Sequence, residues 1–276
     1  MNTLEIHNLN KSYGNFSLRI EDLTLPQGCI MGLIGENGAG KSTTIRAILG
    51  MTKYKGDIKI LGEQITPPLK NRIGVVMDDV GFCDAFTAKN INTIMKNSFS
   101  EWDEAAFFTY LKQFSLPEKK GFAQYSKGMK MKLMIAVAMS HHAELLIFDE
   151  PTSGLDPLAR DEIIDILNDF TREENHSILI SSHIVSDLEK LCDYIAFLHK
   201  GKLMLCEEKD VLISEYARLL TTEEELAELD AAAIYGKRTT AWGTEALVNR
   251  SMIPEGFETK PISIEDLFVF MAKEAK

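Results

Sequence analysis

The segment Gly35–Thr43, "GENGAGKST", carries glycines, a lysine and a hydroxyl at the spacing G-x-x-x-x-G-K-[ST], with Gly35, Gly40, Lys41 and Ser42 at the defining positions. Glycine adopts positive φ without a Cβ penalty, so successive N–H groups from Asn37, Gly38 and Ala39 through Thr43 are able to converge on one anion. A helix dipole alone supplies only about 0.3–1 kcal/mol. Aimed backbone donors and the full charge of Lys41 must therefore do most of the phosphate binding, with the Ser42 hydroxyl placed for Mg²⁺. A second cluster is "LLIFDEP", Leu145–Pro151, an apolar run ending in two adjacent acids. Neighbouring strand residues point to opposite faces, but at a strand's C-terminal end both carboxylates reach the crevice where open α/β sheets bind ligands. Asp149 is then placed to hold Mg²⁺ through water, and Glu150 to orient or deprotonate an attacking water, a role worth roughly 10²–10⁴ in rate. The competing reading is that one acid only caps the helix that follows "PTSGLDP".

Both clusters need a sheet to position them, and the chain supplies its signals. "LEIHNL" and "FSLRIEDLTL" alternate in polarity, and "CIMGLIG" is a short buried strand feeding the glycine-rich segment. A helix is predicted from Lys41 to a stop at Gly50, then strands at "KGDIKIL" and "RIGVVM". From Thr87 to Ser140 the pattern turns helical, with Thr87, Ser100 and Ser126 as expected N-caps. Alternation returns at "ELLIFD", "SILIS", "YIAFLH" and "LMLC", separated by helices and a "KGK" turn. Strands alternating with helices imply a mainly parallel sheet covered on both faces. The expected fold class is α/β: a P-loop nucleotide-hydrolase core, an N-terminal antiparallel β-subdomain, an inserted helical subdomain at about 79–142, and a small C-terminal α+β extension. After Cys206 the signal weakens. "EEKDVLISEY" reads as a helix, "TEEELAELD" as a short helix boxed by Thr222 and Glu225, and "SIEDLFVFMAKEAK" as an amphipathic terminal helix.

Composition narrows the partners. The 276 residues are 45% hydrophobic and 26% charged, with a formal net charge of −11. That field opposes phosphate backbones and anionic lipid, so nucleic acid is not an expected partner. No apolar run reaches the roughly 20 residues of a membrane span, and the N-terminus lacks a secretion signal, which points to a cytoplasmic location. Cys29, Cys83, Cys192 and Cys206 have no C-x-x-C spacing and are expected to be buried, reduced thiols.

The order Tyr13, "GENGAGKST", "YSKGM", "LLIFDEP", "SGLD" and "ILISSHI" resembles the ATP-binding subunit of an ABC transporter over residues 1 to about 206, leaving 207–276 as an extension. The resemblance implies that "YSKGM" is the signature motif, with Ser126 and Gly128 contacting the γ-phosphate of an ATP held by a second subunit. It departs from the usual L-S-G-G-Q at Lys127 and Met129. Lys130 and Lys132 are then expected to snorkel from a mostly buried helix rather than to form a binding surface. Tyr13 resembles the aromatic that stacks on adenine, with an exposed turn tyrosine as the alternative. Asp156 resembles the acid linking two ATP sites, and His183 the switch histidine, with a core histidine as its alternative. Where the family has a Mg²⁺-ligating glutamine, "IGVVMDD" offers Asp78 or Asp79. The resemblance is greatest to bacterial ATPases of the bacitracin-resistance and small drug-exporter type. It implies ATP and Mg²⁺ as cofactors and a dimer with a second ABC ATPase, identical or related. It also implies a separate integral membrane permease docked near residues 78–100, and a peripheral place on the inner face of the membrane. A soluble ABC-type ATPase acting on ribosomes or DNA is the competing function, and a regulator that binds nucleotide without hydrolysing it is a third.

Overall fold

The computed structural model describes residues 1–77, 81–240 and 243–274. In chain order the elements of the first part are β1 (Asn2–Tyr13), β2 (Phe16–Pro26), β3 (Ile30–Gly35), α1 (Lys41–Ile48), β4 (Lys55–Ile60), α2 (Pro67–Lys70), β5 (Ile73–Val76), α3 (Ala88–Ser98), α4 (Glu104–Gln113) and α5 (Lys127–Met139). There follow β6 (Leu145–Asp149), α6 (Pro157–Phe170), β7 (Ser177–Ser182), α7 (Val185–Leu191), β8 (Tyr194–His199) and β9 (Lys202–Glu208). The remainder is α8 (Lys209–Glu215), β10 (Tyr216–Thr221), α9 (Glu223–Ala227), β11 (Ile234–Thr240), β12 (Gly243–Asn249), β13 (Thr259–Lys260) and α10 (Ile264–Glu274).

Nine strands form one sheet in the order β4-β1-β2-β9-β8-β3-β7-β6-β5. Strands β8, β3, β7, β6 and β5 run parallel, so their C-terminal ends share one edge. The antiparallel strands β1, β2 and β4 continue this sheet, joined through a single parallel pairing of Arg19 with Lys202. Burial on both faces explains the continuous apolar runs of the central strands. In β6, Leu145 and Ile147 join the core under α1, while Leu146 and Phe148 face the core packed by α3–α7 and α10. Helix α5 lies so close to β5 that a Cβ on Gly74 would stand 2.5 Å from the Ala138 carbonyl oxygen.

Several expectations are corrected. Helix α4 is capped by Asp103, whose Oδ1 accepts from the Ala106 N–H at 2.8 Å, and not by Ser100, whose hydroxyl meets Asn71 Nδ2. Cys83 is exposed and Cys29 and Cys206 only half-buried; of the four free thiols, Cys192 alone is buried. Lys132 is partly buried, and its ammonium reaches the half-exposed Glu162 of α6 at 2.5 Å. In "EEKDVLISEY", Glu207 and Glu208 close β9 and Tyr216 opens β10, leaving only the middle as helix. Beyond it lies an antiparallel sheet in the order β11-β12-β10-β13. Helix α10 ties this sheet to the larger one: Phe268 packs on Phe197 of β8, and the Ile264 N–H donates to Glu189 of α7. Among the described residues, no helix is long and apolar enough to cross a membrane.

Candidate functional site

The glycine-rich segment leaves β3 and turns into α1 at the sheet edge where the parallel strands end. Gly38 and Gly40 have φ of 85° and 113°, a backbone that a side chain would strain. Gly40 occupies the N-cap of α1 with no side-chain cap, so the first-turn N–H groups are left for a ligand. A cavity of about 550 Å³ opens there, lined by Asn37, Gly38, Gly40, Lys41, Ser42, Thr43, Asp149 and Glu150, with Phe16 and Glu36 at its sides.

Lys41 is only 6% exposed and makes its contacts inward. Its ammonium donates to the Gly35 carbonyl at 2.6 Å and stands 3.1 Å from Glu150 Oε1. Glu150 is the next residue after β6 and has φ of 54°, an unfavourable conformation for a residue with a Cβ. That turn separates the two adjacent acids. The Glu150 N–H is held by Ser181, through its carbonyl at 3.1 Å and its hydroxyl at 3.2 Å. The same hydroxyl donates to Asp149 Oδ1 at 2.6 Å. Glu150 Oε2 meets His183 Nδ1 at 2.6 Å and accepts the His183 N–H at 3.2 Å. One carboxylate therefore bridges the phosphate-loop lysine and the histidine that follows β7.

The other expected residues lie elsewhere. Ser126 is exposed and caps α5, its Oγ accepting from the Met129 N–H at 3.2 Å. Gly128 is buried, with space for a Cβ limited by Ala159 at 3.0 Å. Asp156 caps α6 by accepting from the Ala159 N–H at 3.0 Å. Tyr13 is exposed at the end of β1, bonded to Thr52 at 2.9 Å with the Lys11 ammonium 4.4 Å over its ring, while Phe16 is the aromatic that lines the cavity. Asp78 and Asp79 lie outside the described residues. Among the described residues, no group of three or more His, Cys, Asp and Glu side chains forms a metal cage. A Mg²⁺ ion needs only one or two protein oxygens when a phosphate supplies others, and the donor set of Ser42 and Asp149 fits that demand. Sequence reasoning missed Ser181 and Phe16, which carry no motif of their own.

The family described as "ABC transporter" matches residues 18–153. "Lantibiotic transport ATP-binding protein SrtF" of Streptococcus pyogenes is 35% identical over 75% of this chain and 91% of its own length. The chain belongs to the ABC transporter ATP-binding family. "Bacitracin transport ATP-binding protein BcrA" of Bacillus licheniformis is 39% identical over 71% of this chain and 66% of its own length. The solved "Structure of ATP binding subunit of ABC transporter" superposes with a TM-score of 0.67 at 30% identity, over 76% of this chain and 91% of that one. A shorter match, to "AAA domain, putative AbiEii toxin, Type IV TA system", covers residues 121–186. As an ABC ATPase, the chain is an ATP hydrolase whose activity is coupled to transport.

Proposed function

We propose that this ABC ATPase binds and hydrolyses ATP to drive a separate membrane permease, and that the transporter is an exporter. The observation that carries the reading is the Glu150 carboxylate shared between Lys41 and His183 at the mouth of the loop cavity. The triphosphate would seat on the N–H groups of Asn37 to Thr43, with Lys41 turning from Glu150 to the phosphates. Glu150, released from the lysine, would take the proton of the attacking water, while His183 holds the carboxylate and faces the γ-phosphate. Bound at Ser42 and Asp149, with Asp78 as a third proposed ligand, Mg²⁺ would neutralise charge developing on the phosphates.

Ser126 is exposed and lies outside the cavity of its own chain. This supports a sandwich in which the signature segment of one subunit, with Ser126 and Gly128, closes the ATP site of another, and Asp156 links the two sites. Tyr13 would stack on the adenine. Residues 1–206 form the ATPase domain in this reading, with 79–142 as its helical subdomain and 207–276 as the extension. The permease would dock over α3, where Ile94 is exposed, holding the chain on the inner membrane face. Drug export is the reading favoured by the relatives named for bacitracin and lantibiotic transport. The chain is to be affinity-purified from detergent-solubilised membranes of its host and the attached polypeptides identified. A polytopic membrane protein in stoichiometric amount is expected. Recovery only with ribosomes or nucleoid would overturn the proposal in favour of a soluble ABC ATPase.

A further inference from the structure

His199 ends β8 with its side chain 7% exposed, and neither ring nitrogen has a hydrogen-bond partner among the described residues. A buried polar group left unpaired is uncommon and calls for a reason. Strand register places the group. Gly35 of β3 pairs with Leu198 of β8, so the next residues, Glu36 and His199, are cross-strand neighbours on one face. His199 Nδ1 stands 3.2 Å from Glu36 Oε1 without the alignment of a hydrogen bond, and the Glu36 side chain is half-exposed.

Glu36 is also the anchor of the phosphate loop. Its carbonyl accepts from the Ala39 N–H at 3.0 Å and from the Lys41 ammonium at 3.4 Å. The hairpin turn after His199 touches the same loop from below, the Gly201 N–H donating to the Ala39 carbonyl at 3.0 Å. Lys200 and Gly201 both have positive φ, as a tight two-residue hairpin requires, and the Gly201 carbonyl is fixed by the Arg19 N–H at 2.6 Å. One rigid hairpin thus holds the Ala39 backbone of the first loop turn and faces the Glu36 side chain of the same turn.

We propose that His199 is a positioning residue for the phosphate loop: its Nδ1–H donates to the Glu36 carboxylate and fixes the loop's first turn for the triphosphate. The inference rests on nucleotide binding at this loop and not on the two-subunit sandwich. The test is a fluorescent ATP titration with steady-state kinetics on the full chain and its variants. His199→Leu removes the donor while keeping an apolar filling. It is expected to melt no lower than the native chain, yet to bind ATP about tenfold more weakly (about 1.4 kcal/mol) with kcat at saturation unchanged. His199→Asn places an amide donor near the Nδ1 position and should restore affinity to within about twofold. Glu36→Gln in the His199→Leu background should add no further loss. Native affinity in His199→Leu would overturn the proposal, as would an Asn variant as weak as the Leu one, because shape alone would then be at work. Lys41→Ala serves as the separate control: if it too leaves affinity unchanged, the phosphate-loop reading fails, and not only the role of His199.

Discussion

At the residue scale, the site depends on a side chain that neither binds phosphate nor titrates. The Ser181 hydroxyl lies between Asp149 and the Glu150 N–H, so it orients the acid proposed to hold Mg²⁺ and the strained residue beside it. Ser181→Ala leaves a buried carboxylate short of a hydrogen bond, and bonds to charged groups contribute about 1.5–3 kcal/mol. Chemical denaturation should show a loss in that range, with kcat falling further than the affinity for ATP; equal stability would remove Ser181 from the account. The placement of Lys41, Ser42, Asp149 and Glu150 around one cavity was legible in the sequence because each pair stands in a short contiguous segment of recognisable spacing. Ser181, Phe16 and the Glu36–His199 pair were not, because strand register brings them together from segments far apart.

At the scale of elements, helix ends and helix contacts decide what the chain tolerates. His141, just after α5, is buried, with its ring stacked on Phe99 at 4.2 Å and Nδ1 at 2.8 Å from the Asn71 carbonyl. Burial holds its pKa below the ordinary value of 6.5, against the raising effect of that carbonyl. Below about pH 6.5 the unfolded chain takes up a proton that the native chain does not. This residue's contribution to stability is therefore full above that pH and shrinks as pH falls towards the lower native value. Urea midpoints should fall between pH 7 and pH 5 in the native chain, and fall less steeply in His141→Gln. Parallel slopes would assign the acid sensitivity to other groups. Thr87, Ser126 and Thr222 were readable as caps because each accepts an N–H three residues on. Ser100 misled because the helix opens at Glu104, and Asp103 is the acceptor at the right distance along the chain. The extension was expected to be α+β, as the smaller sheet shows, but its individual strands were not placed: β11, "IYGKRTT", is polar along most of its length and alternates only weakly.

At the scale of the whole molecule, the extension is wedged against the ATPase rather than appended to it. Leu267 and Phe270 of α10 are buried, and the Arg238 guanidinium of β11 lies 4.8 Å over the Phe270 ring. Burying a side chain of that size contributes about 1.5–3 kcal/mol each. A chain ending at residue 262 should lose several kcal/mol of stability and aggregate on purification; an unchanged melting temperature would show that α10 contributes nothing. The proposed dimer makes the largest demand on the account, since it gives the exposed Ser126 the role of facing the nucleotide of another subunit. Glu150→Gln should keep ATP binding while lowering turnover about 10²–10⁴-fold, which allows the closed state to accumulate. The most direct measurement is light scattering of that variant with and without Mg²⁺ and ATP, alone and with Ser126→Ala added. The prediction is a mass that doubles with ATP and returns to one chain when Ser126 is also changed. A single-chain mass at saturating ATP, or a dimer indifferent to the loss of Ser126, would contradict it.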